Sequence, residues 1–164
     1  QKVQLIATLI HEPQLIILDE PFSGLDPVNA ELLKEGILSL KKQGSCVIFS
    51  SHNMEHVEKI CDHLVMLNNG KSVLNGVVHE IRESFGRTKV FLESRITRDE
   101  IALLDGVTDV REREDQTLEI TLSNPEVGKE IFRLATADGY IPMFNQQPPT
   151  LEEIFKQKVG EANV

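Results

Sequence analysis

The sequence predicts an α/β fold over its first half and a small α+β extension after it. Two short, continuous apolar runs, residues 15–18 and 46–49, are typical of strands in a parallel sheet whose two faces are both covered. An amphipathic helix predicted between them makes a strand, helix, strand unit with a right-handed crossover. From residue 87 onward, shorter amphipathic segments follow in the order β-α-β-β-α-β, a split βαβ arrangement. We therefore predict two domains, residues 1–86 and 87–164.

The first domain has clear signals at the ends of its helices. Apolar residues at helical spacing over residues 5–10 predict a helix that is already under way at the first residue. Since the sequence does not begin with Met and has no signal-peptide pattern, we expect it to be a piece of a longer protein. Asp26-Pro27 predicts the N-cap and first turn of a helix that Gly44 ends.

A hairpin and the extension complete the pattern. Asn69-Gly70 lies between two apolar runs and is the dipeptide most typical of a two-residue hairpin turn. A last helix begins at Thr150, where Glu153 three residues later completes a capping box. The other predicted elements are helices at 54–61, 77–85, 97–104 and 125–137 and strands at 64–67, 72–74, 89–93, 107–113, 117–122 and 141–144.

Composition and charge exclude several classes of protein. The 164 residues carry a net charge of −9 and contain seven Phe, one Tyr and no Trp, which argues against a nucleic-acid partner. No apolar run approaches the roughly 18 residues that a transmembrane helix needs, so we expect a soluble chain. Cys46 and Cys61 form no disulfide framework, which suits a reducing cytoplasm, and we expect both to be small core residues.

Three polar side chains follow the two apolar strands. Asp19 and Glu20 end the first strand, and His52 comes just after the second. Ligands of open parallel sheets bind beyond the carboxyl ends of the strands, so we expect the three side chains to face one crevice. A carboxylate there suits a Mg²⁺ ion that also binds substrate phosphates. A glutamate suits the polarisation of an attacking water, and an imidazole suits donation to a phosphate oxygen.

Motifs in this region resemble those of the ATP-binding cassette (ABC) ATPases. Residues 15–21 resemble the Walker B strand with its following glutamate, residues 23–27 resemble the D-loop, and Ser51-His52 resembles the switch-histidine loop. All three occur in the family's order. Residues 1–3 also resemble the stretch just after the family's signature motif. The resemblance implies that residues 1–86 are the C-terminal half of a P-loop NTPase domain.

The resemblance also implies a role for each site residue. Glu20 would be the catalytic base, Asp19 the Mg²⁺ ligand and His52 the sensor of the γ-phosphate of ATP. The implied partner of this surface is a second ATPase subunit, identical or paired, in a nucleotide-sandwich dimer. The D-loop residues implied to meet that partner and the bound nucleotide are Ser23, Gly24 and Asp26.

The family's other nucleotide motifs do not occur in this sequence. The Walker A loop, Gly-x-x-x-x-Gly-Lys-Ser/Thr, is absent, as are the Gln loop and the signature motif. Because the Walker A amides and lysine supply much of the phosphate affinity, we predict that this chain alone neither binds nor hydrolyses ATP. In the intact subunit we expect an ATPase.

The extension resembles one subfamily of ABC proteins. Its ending, residues 148–155, is similar to the C-terminal extension of ATPases that work with ABC-2-type permeases, among them exporters of sodium, drugs and antibiotics. The resemblance implies a membrane permease as partner and a cytoplasmic position, peripheral on the inner face of the cell membrane. Dimer contact and regulation both remain open as roles for the extension, and the sequence does not identify the transported substrate.

Three alternatives remain open. Residues 52–56 match H-x-x-E-H, an inverted zinc-peptidase motif that needs both histidines on one helical face. His52 is predicted to precede the helix, which disfavours that chemistry and leaves His56 as a helix-surface residue. A non-transport ABC ATPase of DNA repair or ribosome function fits the acidic charge poorly. The third alternative is a folded module that is catalytically silent.

Overall fold

The computed structural model describes residue 10, residues 13–137 and residues 139–162, with side chains through residue 160. The chain folds into two compact units, Gln1–Leu64 and Val65–Val164. The helix predicted over residues 5–10 and the resemblance of residues 1–3 fall outside the described residues, apart from Ile10. The domain boundary after residue 86 remains a prediction.

The first unit contains the predicted strand, helix, strand arrangement. Strands β1 and β2 pair in parallel and in register, with Leu15 opposite Cys46 and Asp19 opposite Ser50. The parallel pair confirms the α/β fold class predicted for this part of the chain. The elements of the unit are β1 Leu15–Asp19, α1 Pro27–Lys42, β2 Cys46–Ser50 and α2 Met54–Ile60.

Helix α1 begins and ends where the sequence predicts. The Asp26 side chain accepts a hydrogen bond from the backbone N–H of Asn29 at 3.1 Å, and Pro27 occupies the first turn. At the other end, Gly44 has φ of +96° and donates to the Lys41 carbonyl at 3.0 Å, while Ser45 donates to the Leu40 carbonyl at 3.0 Å. This pair of bonds is the Schellman motif, which favours glycine because of the positive φ.

One face of the β1-β2 pair is covered by the helices. Ile16 is 2% exposed, and apolar residues of both helices pack with Phe22 and with inward side chains of the two strands. This burial is the main apolar contribution to the stability of the unit. The residues of this core cluster are Phe22, Leu33, Ile37 and Ile60, with Leu18, Leu25, Ala30, Leu38, Val47 and Phe49 partly buried against it.

The opposite face of the same pair is exposed. Leu15 is 53%, Ile17 70% and Ile48 54% exposed, and Cys46 is exposed as well. Side chains alternate between the faces of a strand, and register places Leu15 beside Cys46 and Ile17 beside Ile48, so all four lie on one face. The expectation that both faces are covered is therefore wrong for the described residues, and so is a core position for Cys46. Cys61 is half-buried, and burial raises the pKa of its thiol to about 11.

The Asn69-Gly70 hairpin is confirmed. Strands β3 His63–Asn68 and β4 Lys71–Val77 form a two-stranded sheet around this dipeptide. Asn69 has φ of +49° and Gly70 of +75°, the positive values that a type I′ turn requires at both central positions. Helix α3 Val78–Ser84 follows β4 directly.

The extension has the predicted β-α-β-β-α-β order. Its four strands form one sheet in the order β6-β7-β5-β8, and each paired neighbour is antiparallel. Strand β7 lies between β5 and β6, which is the split βαβ arrangement. The elements are β5 Lys89–Glu93, α4 Arg98–Ala102, β6 Val107–Glu112, β7 Leu118–Leu122, α5 Val127–Ala135, β8 Met143–Gln147 and α6 Leu151–Ala162.

The core of the extension lies between one face of this sheet and helices α4 and α5. Alternate residues of β5 and β7 point into it, as period-two patterning predicts. Strand β8 begins two residues later than predicted, because Ile141 packs against the core from the preceding loop and is not part of the strand. The residues with no exposed surface in this core are Val90, Leu92, Ile101, Ile120 and Ile131.

A partly buried lysine, Lys89, connects helix α6 to the sheet. The Lys89 side chain is 12% exposed, and its Nζ lies 3.1 Å from Glu119 Oε1 on β7 and 2.6 Å from Glu153 Oε1 on α6. Glu153 also accepts from the Thr150 N–H at 2.9 Å, which confirms the capping box. Burial favours a higher pKa for both carboxyls, but the hydrogen bonds and charges that they share with Lys89 and other donors hold the pKa of each below its ordinary value of 4.5.

Replacing Lys89 by methionine is expected to destabilise the chain in a pH-dependent way. Carboxyls whose pKa is lower in the folded state stabilise it above their unfolded pKa, and this stability is lost as pH falls through the folded pKa. The difference in unfolding free energy between wild type and Lys89→Met should therefore be largest near neutral pH and shrink below about pH 4.5. Urea unfolding at several pH values measures it. Lys129→Met, which removes an exposed pair with Glu126, is the control. If the difference in unfolding free energy between wild type and Lys89→Met stays constant with pH, Lys89 does not stabilise the fold through its ion pairs with Glu119 and Glu153.

Candidate functional site

The carboxyl ends of β1 and β2 bring the predicted site residues together. Asp19 is the last residue of β1 and Glu20 follows it, while Ser50 ends β2 and His52 comes two residues later. Since the two strands are parallel and in register, their ends meet at one edge of the sheet. The structure thus places Asp19, Glu20 and His52 on neighbouring strand ends.

Glu20 and His52 are in direct contact. The Glu20 Oε1 atom accepts a hydrogen bond from the backbone N–H of His52 at 2.9 Å and lies 2.8 Å from His52 Nδ1. The His52 side chain is 82% exposed and that of Glu20 37%. The carboxylate therefore fixes the turn after β2, and both side chains stay open to solvent at the sheet edge.

Ser50 joins the two carboxylate residues. Its Oγ donates to Asp19 Oδ1 at 2.5 Å and accepts from the backbone N–H of Glu20 at 3.0 Å. Ser50 is not among the site residues predicted from the sequence. The feature that identifies Ser50 as a site residue is its place in the parallel register, directly opposite Asp19.

The backbone of Glu20 has an uncommon conformation. Its φ is +43°, in the left-handed region that residues other than glycine seldom adopt. Hydrogen bonds on both sides hold it, from its own N–H to Ser50 and from the N–H of Ser23 to its carbonyl at 3.0 Å. Strained residues of this kind persist where the surroundings fix them, and they cluster at functional sites.

The predicted D-loop forms the turn between β1 and α1. Ser23 and Gly24 are exposed, and Gly24 has φ of +70°. The N–H of Leu25 donates to the Phe22 carbonyl at 3.3 Å within this turn. The Asp26 carboxylate caps helix α1. The ligand and partner contacts of Ser23, Gly24 and Asp26 remain predictions.

The predicted switch loop leads into helix α2 through an asparagine cap. The Asn53 side chain accepts from the backbone N–H groups of Glu55 at 3.0 Å and His56 at 3.2 Å, so His52 precedes the helix. His56 is half-buried and its ring centroid lies 4.2 Å from that of Phe22. The expectation that His56 is a helix-surface residue is therefore wrong. With His52 outside the helix, the two histidines do not share one helical face, and the zinc-peptidase alternative is not favoured.

The described part of the chain contains neither a cluster of metal-ligating side chains nor a membrane-spanning helix. Among these residues, no group of three or more His, Cys, Asp and Glu side chains is arranged to hold a metal ion by itself. No helix within the same ranges is both long enough and apolar enough to span a bilayer.

Comparison with known proteins identifies the family. Residues 76–159 match the family described as ATP-binding protein DrrA1-3-like, C-terminal domain. An ABC transporter ATP-binding protein of Alkalihalophilus pseudofirmus is 44% identical over 162 residues, 99% of this chain and 60% of the relative. Another from Bacillus subtilis, YhaQ, is 44% identical over 98% of this chain and 53% of the relative.

A relative with a named cargo is also similar. The Nod factor export ATP-binding protein I of Rhizobium etli is 32% identical over 98% of this chain and 50% of its own length. The chain thus spans between half and three fifths of the length of these relatives. The motifs, the parallel strand pair and the relatives agree, and the chain belongs to the family of ABC transporter ATP-binding proteins.

Proposed function

We propose that the chain acts within a longer ATP-binding subunit, called here the full-length subunit, which hydrolyses ATP to drive a membrane permease. The observation that carries this proposal is the contact between Glu20 and His52 beside Asp19, at the carboxyl ends of two parallel strands. These are the residue types, in the family's order, that the resemblance assigns to base, γ-phosphate sensor and Mg²⁺ ligand.

The residues at the strand ends fit a magnesium ion bound with a nucleotide. Asp19 is exposed at the end of β1, and the Ser50 hydroxyl lies beside its carboxylate. Mg²⁺ prefers oxygen ligands and commonly takes one or two carboxylates together with phosphate oxygens. When bound, the ion would neutralise charge on the phosphates. Asp19 is the residue that we assign to it.

Glu20 is proposed to take the proton from the attacking water. A carboxylate that accepts two contacts from His52 is fixed in orientation, and orientation is a large part of general-base catalysis. The His52 side chain in turn is exposed to solvent and contacts Glu20, and we propose that it faces the terminal phosphate of a nucleotide bound near Asp19. Its proposed role is to contact that phosphate and report its presence to the switch loop.

The exposed apolar face of the β1-β2 pair supports the proposal of a longer subunit. Leu15, Ile17 and Ile48 are each more than half exposed, side by side on one face. Apolar faces of parallel sheets are normally covered on both sides. The full-length subunit is proposed to have a part that corresponds to the portion of the relatives that this chain does not span. We propose that this part covers the exposed face and also contains the Walker A loop.

The relatives and the resemblance of the motifs support the remaining assignments, which are proposals. The family match at residues 76–159 supports the extension as a separate C-terminal domain, with the boundary proposed after residue 86. We propose a permease as partner, a nucleotide-sandwich dimer with a second ATPase subunit, and a peripheral position on the cytoplasmic face of the membrane. The relative that exports Nod factor favours export as the direction of transport.

Mg-ATP titration tests this proposal. The full-length subunit is expected to bind Mg-ATP in the micromolar range. The 164-residue chain should give no binding heat under the same conditions, since its sequence has no Walker A loop. Isothermal titration calorimetry makes both measurements, with AMP as the control ligand. Micromolar binding by the 164-residue chain would contradict the assignment of nucleotide affinity to the missing portion, and no binding by the full-length subunit would overturn the proposed function.

A further inference from the structure

We propose that Ser50 is a positioning residue that sets the geometry of both catalytic carboxylates. The inference rests on the proposed function, because it concerns the roles of Asp19 and Glu20 in ATP hydrolysis. It adds a fourth residue to the site formed by Asp19, Glu20 and His52, and this residue acts through Asp19 and Glu20.

The hydroxyl of Ser50 makes two hydrogen bonds of opposite sense. It donates its one proton to Asp19 Oδ1 and accepts from the Glu20 N–H on a lone pair. A hydroxyl has one donor and two acceptor positions, so these bonds fix its rotation. One atom on β2 thereby holds the side chain of Asp19 and the backbone of Glu20 at the same time.

The backbone of Glu20 depends on this support. With φ of +43°, Glu20 lies outside the regions that glutamate prefers, and its N–H finds its acceptor on Ser50. The carboxylate of Glu20 reaches His52 from this strained turn. Without the Ser50 hydroxyl, the turn loses a bond that favours the left-handed conformation, and the Glu20 carboxylate is then held only by its contacts with His52.

The neighbouring residue, Ser51, makes a different hydrogen bond. Ser51 Oγ accepts from the backbone N–H of Asn53 at 3.1 Å and so supports the start of α2. Ser50 is the residue in register with Asp19. Register, rather than the presence of a serine near the histidine, therefore selects Ser50 for the site.

The first test is the exchange rate of the Glu20 amide in the 164-residue chain, measured by NMR. Ser50→Ala should increase this rate about tenfold, the equivalent of one ordinary hydrogen bond. Ser50→Thr, which keeps the hydroxyl, should show the wild-type exchange rate of the Glu20 amide. Ser39→Ala, on the exposed surface of α1, is the matched control and should leave the rate unchanged. Equal Glu20 rates in wild type and Ser50→Ala would overturn the inference.

The second test is steady-state ATP turnover by the full-length subunit. Ser50→Ala should lower kcat about a hundredfold, as misplacement of a catalytic group does, and should change KM for ATP much less, whereas Ser50→Thr should keep the wild-type kcat. A Ser50→Ala variant with wild-type kcat, alongside an inactive Glu20→Gln variant, would overturn the role of Ser50 and leave the proposed function standing. A wild-type kcat for Glu20→Gln would overturn the proposed function itself.

A folding defect would be recognised separately. If Ser50→Ala does not fold, Ser50→Cys takes its place, since it keeps the side-chain size and forms only weak hydrogen bonds. The same two readouts then apply, with a faster Glu20 amide and a lower kcat expected. Wild-type values for both in Ser50→Cys would overturn the inference.

Discussion

Glu20→Gln in the full-length subunit is expected to abolish ATP turnover and to leave Mg-ATP binding within a few-fold of wild type. Glutamine keeps the shape of glutamate, and its amide oxygen can still accept from the His52 N–H, so the turn should persist. The amide cannot take a proton from water. General bases contribute roughly 10²–10⁴-fold to rate, and a loss of at least this size is expected.

Phosphate release under saturating Mg-ATP measures the turnover, and calorimetry measures the binding. Glu35→Gln, an exposed carboxylate on α1, is the matched control and should behave as wild type. If Glu20→Gln hydrolyses ATP at the wild-type rate, Glu20 is not the base. If it also loses nucleotide binding, its role is in affinity, and the catalytic assignment fails.

Ile17→Asp is expected to lower the free energy of unfolding of the full-length subunit much more than that of the 164-residue chain. In the chain, Ile17 is 70% exposed, so a carboxylate there meets water and should change the free energy of unfolding only slightly. In the full-length subunit we propose that this face is covered. The same change would then remove a buried side chain and bury a charge, which costs at least about 3 kcal/mol.

Denaturant unfolding of both proteins measures the difference. Ile16→Asp is the matched control, because Ile16 is 2% exposed and the substitution should strongly destabilise both proteins. Equal and small effects of Ile17→Asp in both proteins would show that the face stays exposed in the full-length subunit. That result would remove the structural support for the proposed cover.

Signals carried by local chemistry predicted the fold well. Asp26, Gly44 and the Asn69-Gly70 turn act through backbone geometry and hydrogen bonds within a few residues, and each occurs where predicted. Such features depend little on the rest of the chain. The strand order of the extension also followed from the sequence, since the alternation of strands and helices restricts the topology.

Features that depend on distant residues were predicted less well. A continuous apolar run does not reveal whether both faces of its strand are covered, and Ile17 proved exposed in this chain. Ile141 resembled a strand residue, but it packs against the core from a loop. Strand ends were enough to predict that Glu20 and His52 lie together, whereas the role of Ser50 required the register between strands.

The contact between Glu20 and His52 also restricts the chemistry of the imidazole. An ionised carboxylate only accepts hydrogen bonds, so the 2.8 Å contact requires the proton of the ring to be on Nδ1. In a neutral ring of this tautomer, Nε2 carries no proton and cannot donate to a phosphate oxygen. For Nε2 to act in the proposed phosphate sensing, the ring must therefore carry a proton on both nitrogens, or release Glu20 and change tautomer. Either event would couple the arrival of the phosphate to the state of the base.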